Sequence, residues 1–190
     1  MNFSMVNANL IAPQPWRNGG GHTRELLAWP DAANWKLRIS RADIDADGPF
    51  SAFPGVTRWF TVLSGAGVAL SFADGERVVR KGDAPLRFDG TSAPACRLLD
   101  GATQDLNLMA RGGTALIQAV QSTSPWRSEL PLRAIYTTVA GRWRAGQDTV
   151  DLPADSLLWM PAAGATDWVF APHDGSAGCH AWWLGFNPAG

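Results

Sequence analysis

Glycine and proline interrupt this chain so often that no long amphipathic helical window survives between them. The sequence carries 20 Gly and 13 Pro in 190 residues. Proline lacks a backbone donor and glycine favours turns, so both punctuate regular structure. Between them lie short runs in which apolar and polar residues alternate, the period of a strand with one buried face. Residues 35–42 read W-K-L-R-I-S-R-A, and 105–110 and 115–121 are further strands. Residues 58–63 and 68–72 flank Ser64-Gly65-Ala66-Gly67 and read as a hairpin closed by a glycine-bearing turn. Ala73-Asp74-Gly75-Glu76 is a second turn, leading into residues 77–80. Many short strands with frequent turns predict an all-β sandwich or barrel. Helix is confined to a short turn near the N-terminus or around residues 51–53.

An internal echo suggests two related β units. Residues 81–90 (K-G-D-A-P-L-R-F-D-G) and 153–161 (P-A-D-S-L-L-W-M-P) share a plan. Each places a small-Asp-small step before an apolar strand that ends in a Gly- or Pro-bearing turn. The polar stretch 122–132, with Ser124-Pro125 and Leu130-Pro131, is the expected junction. The expected units are therefore 1–125 and 126–190, with N-terminal strands able to join the second.

Charge narrows the function classes. Lys plus Arg is 16 against Asp plus Glu 17, a net charge of −1. Such a chain has no global field for nucleic acid or an anionic membrane, and it carries no DNA-binding motif. No run approaches the roughly 20 apolar residues of a membrane span. The first ten residues lack the basic start and apolar centre of a secretory signal, so the expectation is a cytoplasmic protein. Cys96 and Cys179 are far apart and outside any C-x-x-C pair, which reads as two small core residues rather than a disulfide or zinc site. All but two of the basic residues, Lys36 and Lys81, are arginine. A high-GC genome accounts for such a bias, and arginine is also the usual residue for bidentate capture of a carboxylate.

The chain also resembles a cupin whose metal ligands are gone. A cupin barrel carries G-x5-H-x-H-x3,4-E, then G-x5-P-x-G-x2-H, and the three histidines and the glutamate bind a divalent metal. The turn Val62-Leu63-Ser64-Gly65-Ala66-Gly67 is similar to the turn after the first motif. Counted back from it, the glutamate position falls on Arg58 and the histidine positions on Ser51 and Phe53. Laying the second motif on Gly82 puts the third histidine at Ala93. None of these four holds a transition metal well, and Arg58 would repel one. The overlay implies no metal cofactor and a guanidinium where the metal charge would sit, which suits an anionic ligand. His22, His173 and His180 are scattered, and each reads as structural or solvated.

Three segments carry a closer resemblance. They are Trp16-Arg17-Asn18-Gly19-Gly20-Gly21-His22-Thr23-Arg24-Glu25; then Arg38-Ile39-Ser40 followed by Asp47-Gly48-Pro49-Phe50-Ser51-Ala52-Phe53-Pro54-Gly55 and Arg58; and Asp105-Leu106-Asn107-Leu108-Met109. In this order they resemble the HutD/Ves family of the cupin superfamily. The resemblance covers about the first 115 residues, and the last third matches more by plan than by motif. It implies an RmlC-like bicupin, two jelly-roll barrels in one chain, without an established enzymatic activity. It further implies a regulatory role in histidine utilisation, with urocanate or N-formylglutamate as ligand.

The residues can be read beside that resemblance. The glycine run 19–21 is either a backbone nest for an anion or a tight turn into a strand. Alternation puts Asp105, Asn107 and Met109 on one face of their strand, and Arg38 and Ser40 on one face of theirs. The expected ligand-binding set is Arg58, Ser51, Phe53, Arg38, Ser40, Asn107, Met109, Arg24 and Asn18. Arg58 would pair with the ligand carboxylate, Asn107 and Ser40 would orient its polar end, Phe53 or Trp59 would pack on its flat part, and one of Arg17 or Arg24 would reach it. The expected partner is thus a small carboxylate metabolite, bound without a metal. The alternative is a metal-free isomerase or epimerase, with His22 beside Glu25 as a base or with Tyr136, the single tyrosine. A third possibility is self-association to a homodimer through a tryptophan-rich surface at Trp182 and Trp183.

Overall fold

The computed structural model describes residues 2–121, 124–161, 166–176 and 178–188. In chain order the strands are β1 (Ser4–Asn7), β2 (Gln14–Pro15), β3 (Gly21–Trp29), β4 (Leu37–Ile44), β5 (Gly48–Pro49) and β6 (Thr57–Ser64). Then follow β7 (Val68–Phe72), β8 (Gly75–Val79), β9 (Leu86–Asp89), β10 (Ala95–Leu98), β11 (Thr103–Ala110) and β12 (Thr114–Ala119). The last are β13 (Leu132–Thr137), β14 (Gly141–Ala145), β15 (Asp148–Leu152), β16 (Ser156–Pro161), β17 (Trp168–Pro172) and β18 (Ala181–Asn187). The helix among the described residues is two single 3-10 turns, Ala8–Leu10 and Gly90–Ser92. The all-β expectation holds, and residues 51–53 are not helical.

Two compact units result, one of residues 11–112 and one of residues 1–10 with 113–190. In the first, a six-stranded sheet ordered β2-β3-β4-β11-β6-β9 accompanies a four-stranded sheet ordered β5-β10-β7-β8. Ile44, Phe60 and Val62 from the larger sheet and Val68, Leu70, Val79 and Cys96 from the smaller form one buried cluster. In the second, a five-stranded sheet ordered β1-β16-β13-β18-β12 accompanies a three-stranded sheet ordered β15-β14-β17. Its core takes Ile135, Leu158, Met160 and Trp183 from one sheet and Trp143, Trp168 and Phe170 from the other. Burying each of these large side chains contributes about 1.5–3 kcal/mol.

The units repeat one pairing plan. β6 pairs β9 and β11, β11 pairs β4, and β7 pairs β8 and β10. Likewise β13 pairs β16 and β18, β18 pairs β12, and β14 pairs β15 and β17. The echo at 81–90 and 153–161 ends on β9 and β16, the equivalent strands of that plan.

Three expectations need correction. Residues 58–63 and 68–72 do not form a hairpin, because β6 and β7 lie in different sheets. Gly65 and Gly67, both at positive φ, turn the chain between them. A Cβ on Gly67 would meet Val79 O at 2.2 Å, and one on Gly65 would meet Ala102 O at 2.5 Å. The true hairpin is β7–β8, with Phe72 opposite Gly75. The units divide at 112/113 rather than 125/126, because β12 runs beside β18 from Thr114↔Asn187 to Ala119↔Trp182. The polar stretch 122–132 is a connector within a unit; its residues 122 and 123 lie outside the described residues. Trp182 and Trp183 are 1% and 2% exposed, so they are core residues and provide no association surface.

Candidate functional site

Alternation on the six-stranded sheet brings one row of side chains after another to its inner face. In one row Arg38 of β4, Met109 of β11 and Arg58 of β6 stand side by side. Ser40, Asn107 and Phe60 form the next row, and Ala42, Asp105 and Val62 the third. Two strand spacings separate Arg38 from Arg58, about 10 Å between Cα atoms. Phe60 and Val62 belong to the apolar core, so that side is filled. The polar side opens into a cavity of about 530 Å³. Its walls are these strands, the segment with Pro49, Phe50, Ser51 and Phe53, and the β2–β3 hairpin with Trp16, Arg17 and Asn18.

Sequence chemistry holds that hairpin in place. Trp16 Nε1 donates to Thr23 Oγ1 at 2.7 Å across the β2–β3 pair. The Gly19 amide donates to Trp16 O and the Gly20 amide to Asn18 Oδ1. These amides are consumed within the loop, which makes the glycine run a tight turn and not an anion nest. Gly21 admits no side chain, because a Cβ there would lie 2.2 Å from Asp43 O.

Arg58 is the chemical centre of the cavity. It is 6% exposed. Its Nη2 donates to Asn107 Oδ1 at 3.0 Å, its Nη1 reaches Ser51 O at 3.4 Å, and its Nε has no partner. Phe50, Phe53 and Phe88 surround the guanidinium, with ring centroids at 5.1, 5.6 and 5.1 Å. Burial lowers its pKa to about 10, Asp105 opposes that shift and Arg38 adds to it, so Arg58 remains a cation at neutral pH. Among the described residues no carboxylate contacts Arg58 at salt-bridge distance in the way that Glu25 holds Arg38, whose Nε donates to Glu25 Oε2 at 2.6 Å. Asn107 Nδ2 donates in turn to Asp105 Oδ1. Asp105 is 1% exposed and its Oδ2 is buried without a partner. Burial pushes its carboxyl well above the usual range, Arg58 opposes this and Asp43 adds to it.

The cavity thus gathers Arg58, Ser51, Phe53, Arg38, Ser40, Asn107, Met109 and Asn18. Arg24 is absent from it: on β3 it alternates away from Thr23 and pairs with Asp43. Arg17, the other arginine considered for that role, lines the cavity. Trp59 faces away from Arg58 and lies against Arg87, 5.5 Å from ring centroid to guanidinium. Ala93 caps a 3-10 turn at φ 37° and does not line the cavity, so the cupin overlay places three of its four positions there. Among the described residues no three His, Cys, Asp or Glu side chains gather to hold a metal. His22 meets Asp45 and His173 meets Asp151, both near the surface, and Tyr136 is buried with its hydroxyl 3.2 Å from Asp155. These groups do not line the cavity, which removes the suggested acid–base set of His22, Glu25 and Tyr136. Asp105, Trp16 and Phe50 were missing from the expected set. Alternation with Asn107 signals the first; the aromatic pair, 6.3 Å apart and edge to face, arises from two loops that no local pattern connects.

The C-terminal unit carries a counterpart. Arg133 is the second residue of β13, as Arg58 is of β6. It is 1% exposed, and burial lowers its pKa. Its Nη1 donates to Thr166 O at 3.0 Å and Ser128 O at 3.5 Å, and its guanidinium lies 4.9 Å from the Trp168 ring centroid. Backbone carbonyls and a tryptophan occupy its surroundings.

Comparison with known proteins agrees with this geometry. The HutD family model matches residues 8–177. The chain belongs to the HutD family. A Protein Ves of Citrobacter koseri is 32% identical over 133 residues, 69% of this chain and 70% of that one. An uncharacterized 21.2 kDa Pseudomonas putida protein from the hutC 3′ region is 43% identical over 113 residues, 56% of this chain and 57% of that protein's length. The structure of HutD from Pseudomonas fluorescens SBW25 superposes with a TM-score of 0.85 at 25% identity, covering both chains fully. At the level of fold alone, Bacillus subtilis oxalate decarboxylase superposes with a TM-score of 0.64 at 10% identity over 97% of this chain and 77% of that one. This HutD-family chain therefore has a cupin-like all-β fold. No helix among its described residues is long and apolar enough to cross a membrane.

Proposed function

We propose that this chain is a metal-independent binder of a small carboxylate, with urocanate or N-formylglutamate as its ligand and a regulatory role in histidine utilisation. Arg58 carries the reading: a cation held among three phenyl rings on a cavity wall, donating to a neutral amide and a carbonyl. A buried guanidinium with donors to spare is stabilised most by an oxyanion of matching geometry. Arg38 and Arg17 add positive charge on the same cavity, and Trp16, Phe50 and Phe53 add flat apolar surface. The family and the P. putida relative's place in the hutC 3′ region support the histidine link. The shared pairing plan of the two units supports a bicupin with one open and one filled site.

The test is calorimetric titration of metal-stripped protein with urocanate, N-formylglutamate and histidine. Saturable binding of one acid, lost in Arg58→Ala while circular dichroism stays unchanged, is the expected outcome. Unchanged affinity in that variant refutes the assignment of Arg58. A second reading has one observation in its favour: Asp105, held toward its neutral form on the cavity wall, has the chemistry of a general acid for a metal-free isomerase or epimerase. Conversion of either acid in a turnover assay would favour that enzyme; a binder leaves both unchanged.

A further inference from the structure

The carboxylate-binding reading leaves Asp105 without a role, although it is the most deeply buried carboxylate on the cavity wall. Its side chain is joined to Arg58 through a single amide: Arg58 Nη2 donates to Asn107 Oδ1, and Asn107 Nδ2 donates to Asp105 Oδ1. The other oxygen, Oδ2, is buried with no hydrogen-bond partner. Burial with no partner on that oxygen penalises the charged carboxylate, which has lost its hydration, more than the neutral carboxyl.

We propose that Asp105 is the proton switch of this site, so that capture of a ligand carboxylate by Arg58 is coupled to protonation of Asp105. This rests on the carboxylate-binding reading above and deepens it. The physical ground is competition for one cation. When Asp105 is neutral, the positive charge of Arg58 is available to a ligand. When Asp105 is ionised, it holds part of that charge and repels the incoming anion across Asn107. A bound carboxylate in turn raises the proton affinity of Asp105, because linkage is reciprocal.

The charged and titratable groups around Asp105 agree with this role. Arg58 on β6 favours its ionised form, and Asp43 on β4 opposes it. Asp43 is itself engaged by Arg24 and Gln104. Arg38 on β4 is paired with Glu25 of β3, which offsets its influence. Cys96 on β10 is pushed up to about 12 and stays a neutral thiol. Arg17, on the β2–β3 turn, faces the same cavity. Arg58, with its pKa lowered to about 10, keeps its charge throughout the neutral range.

The decisive substitution is Asp105→Asn. Asparagine keeps an oxygen to accept from Asn107 and fixes the site in the uncharged form. The experiment titrates N-formylglutamate, whose carboxylates are ionised throughout, into both proteins between pH 5.5 and 9. It uses two buffers of different ionisation enthalpy. In the wild type, affinity is expected to hold at low pH and then fall toward tenfold per pH unit. Proton uptake rises toward one per ligand as it does so. In Asp105→Asn both dependences vanish and tight binding persists at pH 9. An infrared difference spectrum provides a second readout on the wild type alone, with the ligand raising a protonated-carboxyl band at alkaline pH. Binding that is flat with pH and takes up no proton, or an Asp105→Asn variant with the wild-type slope, overturns the switch and leaves Arg58 as the binding group. Absence of binding at every pH overturns both.

Discussion

At the scale of single residues, two buried ionisable groups, Arg58 and Asp105, stand on the wall of the cavity. Hydrogen bonds to charged groups are worth about 1.5–3 kcal/mol each, so Arg58→Ala should cost at least tenfold per bond lost to a carboxylate. Arg58→Lys keeps the charge without the planar fork and should bind more weakly than wild type and better than Arg58→Ala, as calorimetry would show. Asp105 makes a separate prediction about stability. Its folded pKa is raised above that of the unfolded chain, about 3.9. The stability linked to its proton is therefore fully present below that unfolded value and is lost as pH rises through the folded one. Asp105→Asn should accordingly melt progressively higher than wild type as pH increases from 5 to 9. Equal pH dependence of the two melting temperatures would contradict burial of a neutral carboxyl.

At the scale of elements, the site depends on which strands meet and on the corners that bring them together. β6 supplies Arg58 to one sheet, and the next strand departs for another through Gly65 and Gly67. Gly67 has φ 102°, and an added Cβ would stand 2.2 Å from Val79 O. Gly67→Ala should destabilise the protein by more than about 1 kcal/mol in urea titration, since both backbone strain and a clash with another backbone oppose it. Gly75→Ala, with nothing within 4 Å of the added carbon, isolates the strain alone and should cost less than Gly67→Ala. The run that reads as a hairpin at 58–72 shows why this was hidden. Alternation and a glycine turn specify two strands and a reversal between them, but not whether their free edges pair.

At the scale of the whole molecule, two units share a strand plan and differ in what surrounds their equivalent arginines. Arg58 faces an open cavity; Arg133 is bonded to two carbonyls and covered by Trp168. Arg133→Met should leave carboxylate affinity within about twofold of wild type, because the substitution lies in the other unit. It should still shift the urea midpoint, since a buried charge and its bonds are exchanged for apolar packing. A loss of binding equal to that of Arg58→Ala would mean that the two arginines serve one ligand. The tryptophan content follows the same division. Trp126, Trp143, Trp168 and Trp183 all lie in the C-terminal core, and Trp126 stacks on Trp183 at 5.2 Å.

The sequence by itself determined the all-β class, through punctuation by Gly and Pro, and the family, through motifs around Trp16, Arg38, Arg58 and Asp105. It also determined part of the cavity wall, because a two-residue period assigns Arg38 with Ser40, and Asn107 with Met109, to common faces. Only the tertiary structure decided that Arg17 rather than Arg24 lines the cavity, since alternation on β3 turns Thr23 inward and Arg24 away toward Asp43, and which face of the strand looks inward is set by the sheet around it. Only it placed the unit boundary at 112/113, because strand membership is set by a hydrogen-bonding partner some 70 residues away in β18, not by the polarity of the nearest connector. It also made Asp105 a neighbour of Arg58. Local pattern can assign a carboxylate and a guanidinium each to the inner face of its own strand, but adjacency and register bring them to the same amide, and burial then raises the pKa of the carboxyl.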